Sequence, residues 1–166
     1  MRKLVQLTIV LVTLLGCIGC DQATKAVAKE YLPRNEVFSF AGDTFRLQYA
    51  ENKGAFLGLG ASLSDETRKI IFIAGNSLLL FGFLAFLIFA RAIPGLTTVA
   101  LSLFVGGGIS NIIDRVVYDG HVIDFLNIGI GSLRTGIFNI ADVAIMSGGL
   151  LFIIKGFHFE KPRESF

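Results

Sequence analysis

Tryptophan is absent from this 166-residue chain, cysteine and histidine occur twice each, and proline three times. Two cysteines cannot build a disulfide scaffold. The two histidines, His121 and His158, stand far apart and share no ligand spacing, so no metal or other cofactor is expected. Nor is there a G-x-S-x-G segment or a Cys–His pairing to supply a nucleophile. Charge is scarce as well, at 17% of residues, against about 25% in soluble domains. A net charge of +2 is too small to hold nucleic acid by bulk electrostatics. What the chain has instead is apolar surface: 53% hydrophobic residues, 16 of them phenylalanine, and a mean hydropathy of +0.69. That balance excludes a disordered tail and points to one membrane domain spanning residues 1–166.

Four apolar runs approach the length of a bilayer crossing: 4–20, 70–90, 96–113 and 138–157. Of 15 basic and 13 acidic residues, only Asp142 and Lys155 fall inside them. Lys155 is near enough to an end to snorkel to the headgroups. Arg2, Lys3, Arg91, Lys155, Lys161 and Arg163 outweigh Arg115 and Arg134 of the loop 114–137, which favours cytoplasmic termini. The seven Lys and Arg of the loop 21–69 count the other way. In that loop Phe38 and Phe40, then Phe45, Leu47 and Tyr49, alternate with small or polar residues about Ala41-Gly42-Asp43. Such alternation predicts a β-hairpin on the membrane surface. Gly54, Gly58 and Gly60 mark a flexible or closely approached segment, and Ser64-Asp65-Glu66 an N-cap opening the second helix.

The N-terminus has two misleading features. Leu14-Leu15-Gly16-Cys17 resembles a lipobox, but three further spans argue against a cleaved lipoprotein. Cys17 and Cys20 form a C-x-x-C pair with no βαβ pattern around it, so a redox role is not expected.

Chemistry must come from polar residues placed where they are costly. Asp114, Asp119 and Asp124 lie in the connection between the third and fourth spans, and Asp21 ends the first. Asp142 lies a few residues into the fourth span, about 6 Å deep at about 1.5 Å per residue. All five share one membrane face. Asn111-Ile112-Ile113-Asp114 and Asn139-Ile140-Ala141-Asp142 repeat a pattern that puts an amide beside each acid at i, i+3. Asp114 has Arg115 to pair with, whereas Asp124 has no cation within five residues, and its desolvation favours the protonated form. Asp124 and Asp142 together can share a proton, one activating water and the other protonating the product, as in an aspartic protease. The same acids fit two other classes: relay sites of a small ion or proton carrier, or structural groups of a non-catalytic membrane scaffold.

Five short motifs in this order resemble lipoprotein signal peptidase (signal peptidase II), and the resemblance runs nearly end to end. They are Asp21-Gln22-Ala23-Thr24-Lys25, Asn52-Lys53-Gly54-Ala55-Phe56, Gly106-Gly107 through Asn111 to Asp114-Arg115, Val122-Ile123-Asp124-Phe125, and Phe138-Asn139-Ile140-Ala141-Asp142. The resemblance implies an all-α polytopic fold of four transmembrane helices with a small periplasmic β-cradle in the first loop. It implies an aspartic endopeptidase with Asp124 and Asp142 as the dyad. Asn52, Asn111, Arg115 and Asn139 would line the substrate site, with Asp21 and Lys25 nearby. The substrate would be a diacylglyceryl-modified prolipoprotein, cut on the N-terminal side of its lipidated cysteine. Membrane phospholipids and globomycin-type cyclic peptide inhibitors are the other implied partners, and the chain is read as a monomer. Localisation would be the bacterial inner membrane, with cytoplasmic termini, periplasmic loops at 21–69 and 114–137, and the acids at the periplasmic face. Two departures stand out: Ser110 replaces the glycine that usually precedes the third-helix Asn, and the Asn52 motif is one Ala short. They point to a specialised or inhibitor-resistant paralogue, with Ser110 tightening helix packing or touching substrate.

Overall fold

The first apolar run does not end its helix. Gln22, Ala23, Lys25, Ala26, Ala28 and Lys29 are good helix formers, and they carry α1 from Arg2 to Tyr31. Asp21, Lys25 and Ala28 fall on one face of this extension and are buried there. The computed structural model describes residues 2–54, 62–91 and 93–157. Ala55, Phe56, Gly58, Gly60, His158, Lys161 and Arg163, each given a role above, lie outside the described residues.

The chain is mostly helical. After α1 come strands β1 (Phe38–Phe40) and β2 (Phe45–Asn52), the short helix α2 (Asp65–Lys69), a π-helical turn (Ile70–Gly75) and α3 (Asn76–Phe89). Then come α4 (Gly95–Val117), β3 (Val122–Ile130), β4 (Leu133–Arg134) and α5 (Ile140–Phe157). Ser64 caps α2 as expected, its hydroxyl accepting from the Thr67 N–H at 3.3 Å. Among the described residues, three helical stretches are long and apolar enough to cross a membrane: Arg2–Tyr31, Asp65–Phe89 and Gly95–Val117. The fourth expected span, 138–157, falls on α5, which is not one of those three.

α4 is the central helix, packed against α1, α3 and α5. Val10, Leu80, Leu87, Leu101 and Val105 form the core where α1, α3 and α4 meet. Against α5 the approach is closer. A Cβ on Gly107 would run into the Ala141 carbonyl oxygen, and one on Gly148 into the Ala100 carbonyl oxygen. Glycine at both positions lets the two backbones touch, which brings the start of α5 against the middle of α4.

The sheet extends beyond the first loop. The predicted hairpin is present as β1 and β2, its turn formed by Ala41, Gly42 and Asp43, all at positive φ. β2 then pairs antiparallel with β3, which belongs to the connection between α4 and α5, and β3 pairs with β4. The cradle is thus a four-stranded sheet of order β1-β2-β3-β4 drawn from both loops. Val122–Ile130 is rich in β-branched and apolar residues, and its strand buries Val122, Ile123, Asp124 and Phe125 together. The β2–β3 register sets Asn52 opposite Val122 and Ala50 opposite Asp124.

Candidate active site

Register and helix packing deliver the polar residues to one cleft. Asn52 and Gly54 come from the end of β2, Asn111 and Arg115 from α4, Asp124 from β3 and Asp142 from α5. Asp124 accepts hydrogen bonds on both oxygens, from Asn52 Nδ2 at 2.9 Å and Asn139 Nδ2 at 2.6 Å. Asp142 accepts from Asn111 Nδ2 at 3.0 Å and from the Asn139 backbone N–H at 3.1 Å. Asn139 therefore contacts both acids. It also accepts from the Asp142 N–H at 2.9 Å, a reciprocal capping arrangement that places Asp142 in the first turn of α5. This corrects the depth expected for Asp142: the helix starts at Ile140, so the acid sits at its mouth.

Asp124 is 2% exposed. Burial and the nearby Asp142 carboxylate push its carboxyl up to about 7, although the hydrogen bonds from Asn52 and Asn139 pull the other way. Arg115 spans the cleft wall, donating to the Asn111 carbonyl at 3.2 Å and the Gly54 carbonyl at 3.0 Å, with Phe72 stacked at 5.4 Å. Its Nε has no partner among the described residues.

The two Asn-x-x-Asp segments act differently despite their shared pattern. At α5 Asn139 bonds its own acid's carboxylate only through its backbone N–H, and its side-chain amide donates to Asp124. At α4 Asn111 reaches across to Asp142, while Asp114 turns the other way and pairs with Lys25 at 2.9 Å. Arg115, its expected partner, takes part in no ion pair with it.

Asp21 and Lys25 lie behind the cleft, 0% and 2% exposed, and do not line it. Lys25 spends its three donors on Asp21 at 2.7 Å, Asp114 at 2.9 Å and Asn111 Oδ1 at 2.9 Å. Because Lys25 faces Oδ1 of Asn111, the Asn111 amide nitrogen is directed at Asp142. Asp21 accepts from Ser110 Oγ at 2.7 Å and from the Ala141 N–H at 2.8 Å, so it ties α1 to α4 and to the first turn of α5. Gln22 bonds Ser110 Oγ at 3.0 Å and Asp114 at 2.8 Å. Ser110, 0% exposed, thus tightens helix packing and does not reach the cleft. Gln22 as a second tie had no local signal in the sequence, since its partners lie far along the chain. Asp119 is on the surface and pairs with Lys69. Cys17 and Cys20 are free thiols. No three His, Cys, Asp or Glu side chains are grouped as a metal site requires, among the described residues.

The chain is similar to known proteins in sequence and in fold. A lipoprotein signal peptidase of Janthinobacterium sp. (strain Marseille) is 40% identical over 136 residues, covering 80% of this chain and 78% of that protein. The lipoprotein signal peptidase of Tolumonas auensis is 35% identical over 149 residues, covering 89% and 88%. A solved bacterial membrane enzyme superposes with a TM-score of 0.81 at 26% identity, covering 95% of this chain and 93% of that one. The family model described as signal peptidase (SPase) II matches residues 13–158, and the chain belongs to that family.

Proposed function

We propose that the chain is an aspartic endopeptidase of the inner membrane that removes the signal peptide from diacylglyceryl-modified prolipoproteins, with Asp124 and Asp142 as its catalytic pair. Family membership supports prolipoprotein signal-peptide cleavage and disfavours the carrier and scaffold alternatives. The observation that carries the pair is its shared support: Asn139 binds one acid through its side chain and the other through its backbone, inside one cleft.

The chemistry rests on a pair that keeps one proton near neutral pH. An ionised carboxylate takes a proton from a water held between the acids, and the hydroxide adds to the scissile carbonyl carbon. The protonated partner gives its proton to the carbonyl oxygen. Collapse of the tetrahedral intermediate then breaks the C–N bond: the amine nitrogen receives a proton from the carboxyl that first took one from water, and a hydroxyl of the intermediate returns its proton to the partner carboxylate as the carbonyl re-forms. Asn52, bonded to Asp124, and Arg115, whose Nε has no partner among the described residues, would hold the extended substrate backbone. Asn111 and Asn139 set the acids, while Asp21 and Lys25 act from behind. In this reading α5 is the fourth transmembrane helix, the termini are cytoplasmic, and the sheet and cleft face the periplasm. Anchoring the substrate by its diacylglyceryl group adds about 0.8 kcal/mol per buried methylene and confines it to the plane of the acids. The purified protein, given a lipid-modified prolipoprotein, is expected to release a product whose first residue is the lipidated cysteine. A cut elsewhere, or none, would overturn the assignment.

A further inference from the structure

Among the described residues, one polar side chain of the cleft stands outside its hydrogen-bond network. Asn76 opens α3 and lines the cleft, and its amide has no hydrogen-bond partner among the described residues. It stands in the uncharged run 70–90, where Ser77 is its one polar neighbour. Asn76 is half-buried, so its amide faces the cleft with its donors free for a bound molecule. The backbone is shaped to place it. The Asn76 N–H donates to the Ile71 carbonyl, an i to i−5 bond that closes the π-helical turn Ile70–Gly75. Such a turn takes up one extra residue, and so rotates the remainder of the helix by about 100° relative to an unbroken α-helix. Without it Asn76 would leave the cleft wall.

Beyond Asn76 the lining becomes apolar. Leu79 and Leu80, one turn further along α3, line the same cleft. Leu79 also borders a furrow that continues along the helix past Gly82, Phe83 and Phe86 to Phe152 of α5. Asn76 therefore marks the boundary between a polar end holding Asp124 and Asp142 and an apolar channel. A diacylglyceryl-modified cysteine has the same boundary. Its ester carbonyls lie between the glycerol carried on sulfur and the acyl chains, and they accept hydrogen bonds but cannot donate them. Asn76 Nδ2 is a donor at the matching place.

We propose that Asn76 is a specificity-determining residue that donates a hydrogen bond to an ester carbonyl of the substrate's diacylglyceryl group, with the acyl chains continuing into the furrow beside α3. This rests on the prolipoprotein reading above. The test compares wild type and Asn76→Leu on two lipopeptides of equal chain length, one diacylglyceryl and one dialkylglyceryl, whose ether links lack the carbonyls. Wild type is expected to cleave the diester about five- to tenfold more efficiently in kcat/KM, through KM. Asn76→Leu is expected to lose that preference, its kcat/KM on the diester falling about five- to tenfold to the level of the diether. Retention of the preference by Asn76→Leu would overturn the proposal. So would an equal loss on both substrates, as a contact to the peptide or a purely structural role would give. Equal cleavage of both lipopeptides by wild type would overturn it too. If wild type cleaves neither lipopeptide, the prolipoprotein reading itself fails.

Discussion

Replacing Lys25 with Met keeps most of the side chain's volume and removes its charge. Lys25 is 2% exposed, between Asp21 and Asp114, both 0% exposed. Removing one member of a buried ion pair costs about 3–5 kcal/mol, because the partner charge is left uncompensated. Here the lower end applies. Asp21 keeps the Ser110 hydroxyl and the Ala141 N–H, and Asp114 keeps Gln22 and the Ile123 N–H. A loss of about 3 kcal/mol is therefore expected from equilibrium unfolding in mixed micelles. Adding Asp114→Asn should recover part of it by removing one stranded charge. The surface pair Arg34–Glu51, with side chains 71% and 36% exposed, is the control. Arg34→Ala should cost less than about 1 kcal/mol. A Lys25→Met protein as stable as the Arg34→Ala control would refute the view that buried charge holds α1, α4 and the start of α5 together.

The site itself carries further expected outcomes. Because Asp124 is pushed up to about 7, kcat/KM should fall as pH rises through that region and the protonated carboxyl is lost. Stability should fall over the same climb, from about pH 4, where an unfolded carboxyl ionises, through about 7. Asn52→Ala removes a bond that favours the ionised form, so the alkaline limb should move to higher pH; a limb that stays put or moves down contradicts this. Gly107→Ala should lower cleavage at least tenfold, because its methyl displaces the Ala141 backbone beside Asp142. Gly19→Ala on the exposed face of α1, where a Cβ meets nothing within 4 Å, should leave cleavage unchanged.

Much of the architecture was legible because its signals are local. Apolar runs marked the helices, alternation about Ala41-Gly42-Asp43 marked the β1–β2 hairpin, and Ser64 marked a cap. Asp142 stood out as an acid inside an apolar run, and Asp124 as an acid without a nearby cation. Where the pattern misled, the missing information lay in tertiary packing. Asn111-x-x-Asp114 looked like a copy of Asn139-x-x-Asp142, yet helix approach at Gly107 turns Asn111 toward the other helix's acid. Asp114 beside Arg115 suggested a local pair, but the fold presents it to Lys25, far away in sequence. β3 was overlooked because Val122–Ile130 is buried on both sides at its start, and a continuous apolar run lacks the alternation that identifies a half-buried strand. Asn76 carried a signal of its own, a lone amide in an uncharged run, whose place in the cleft depends on a π-turn that composition does not announce.

The central claim is that Asp124 and Asp142 work as one catalytic pair. Its most direct test is the single-turnover rate of prolipoprotein cleavage by Asp124→Asn and Asp142→Asn, each purified from the membrane and shown to unfold like wild type. Both variants are expected to insert normally and to lose cleavage. Near-normal turnover by either one would contradict the pair.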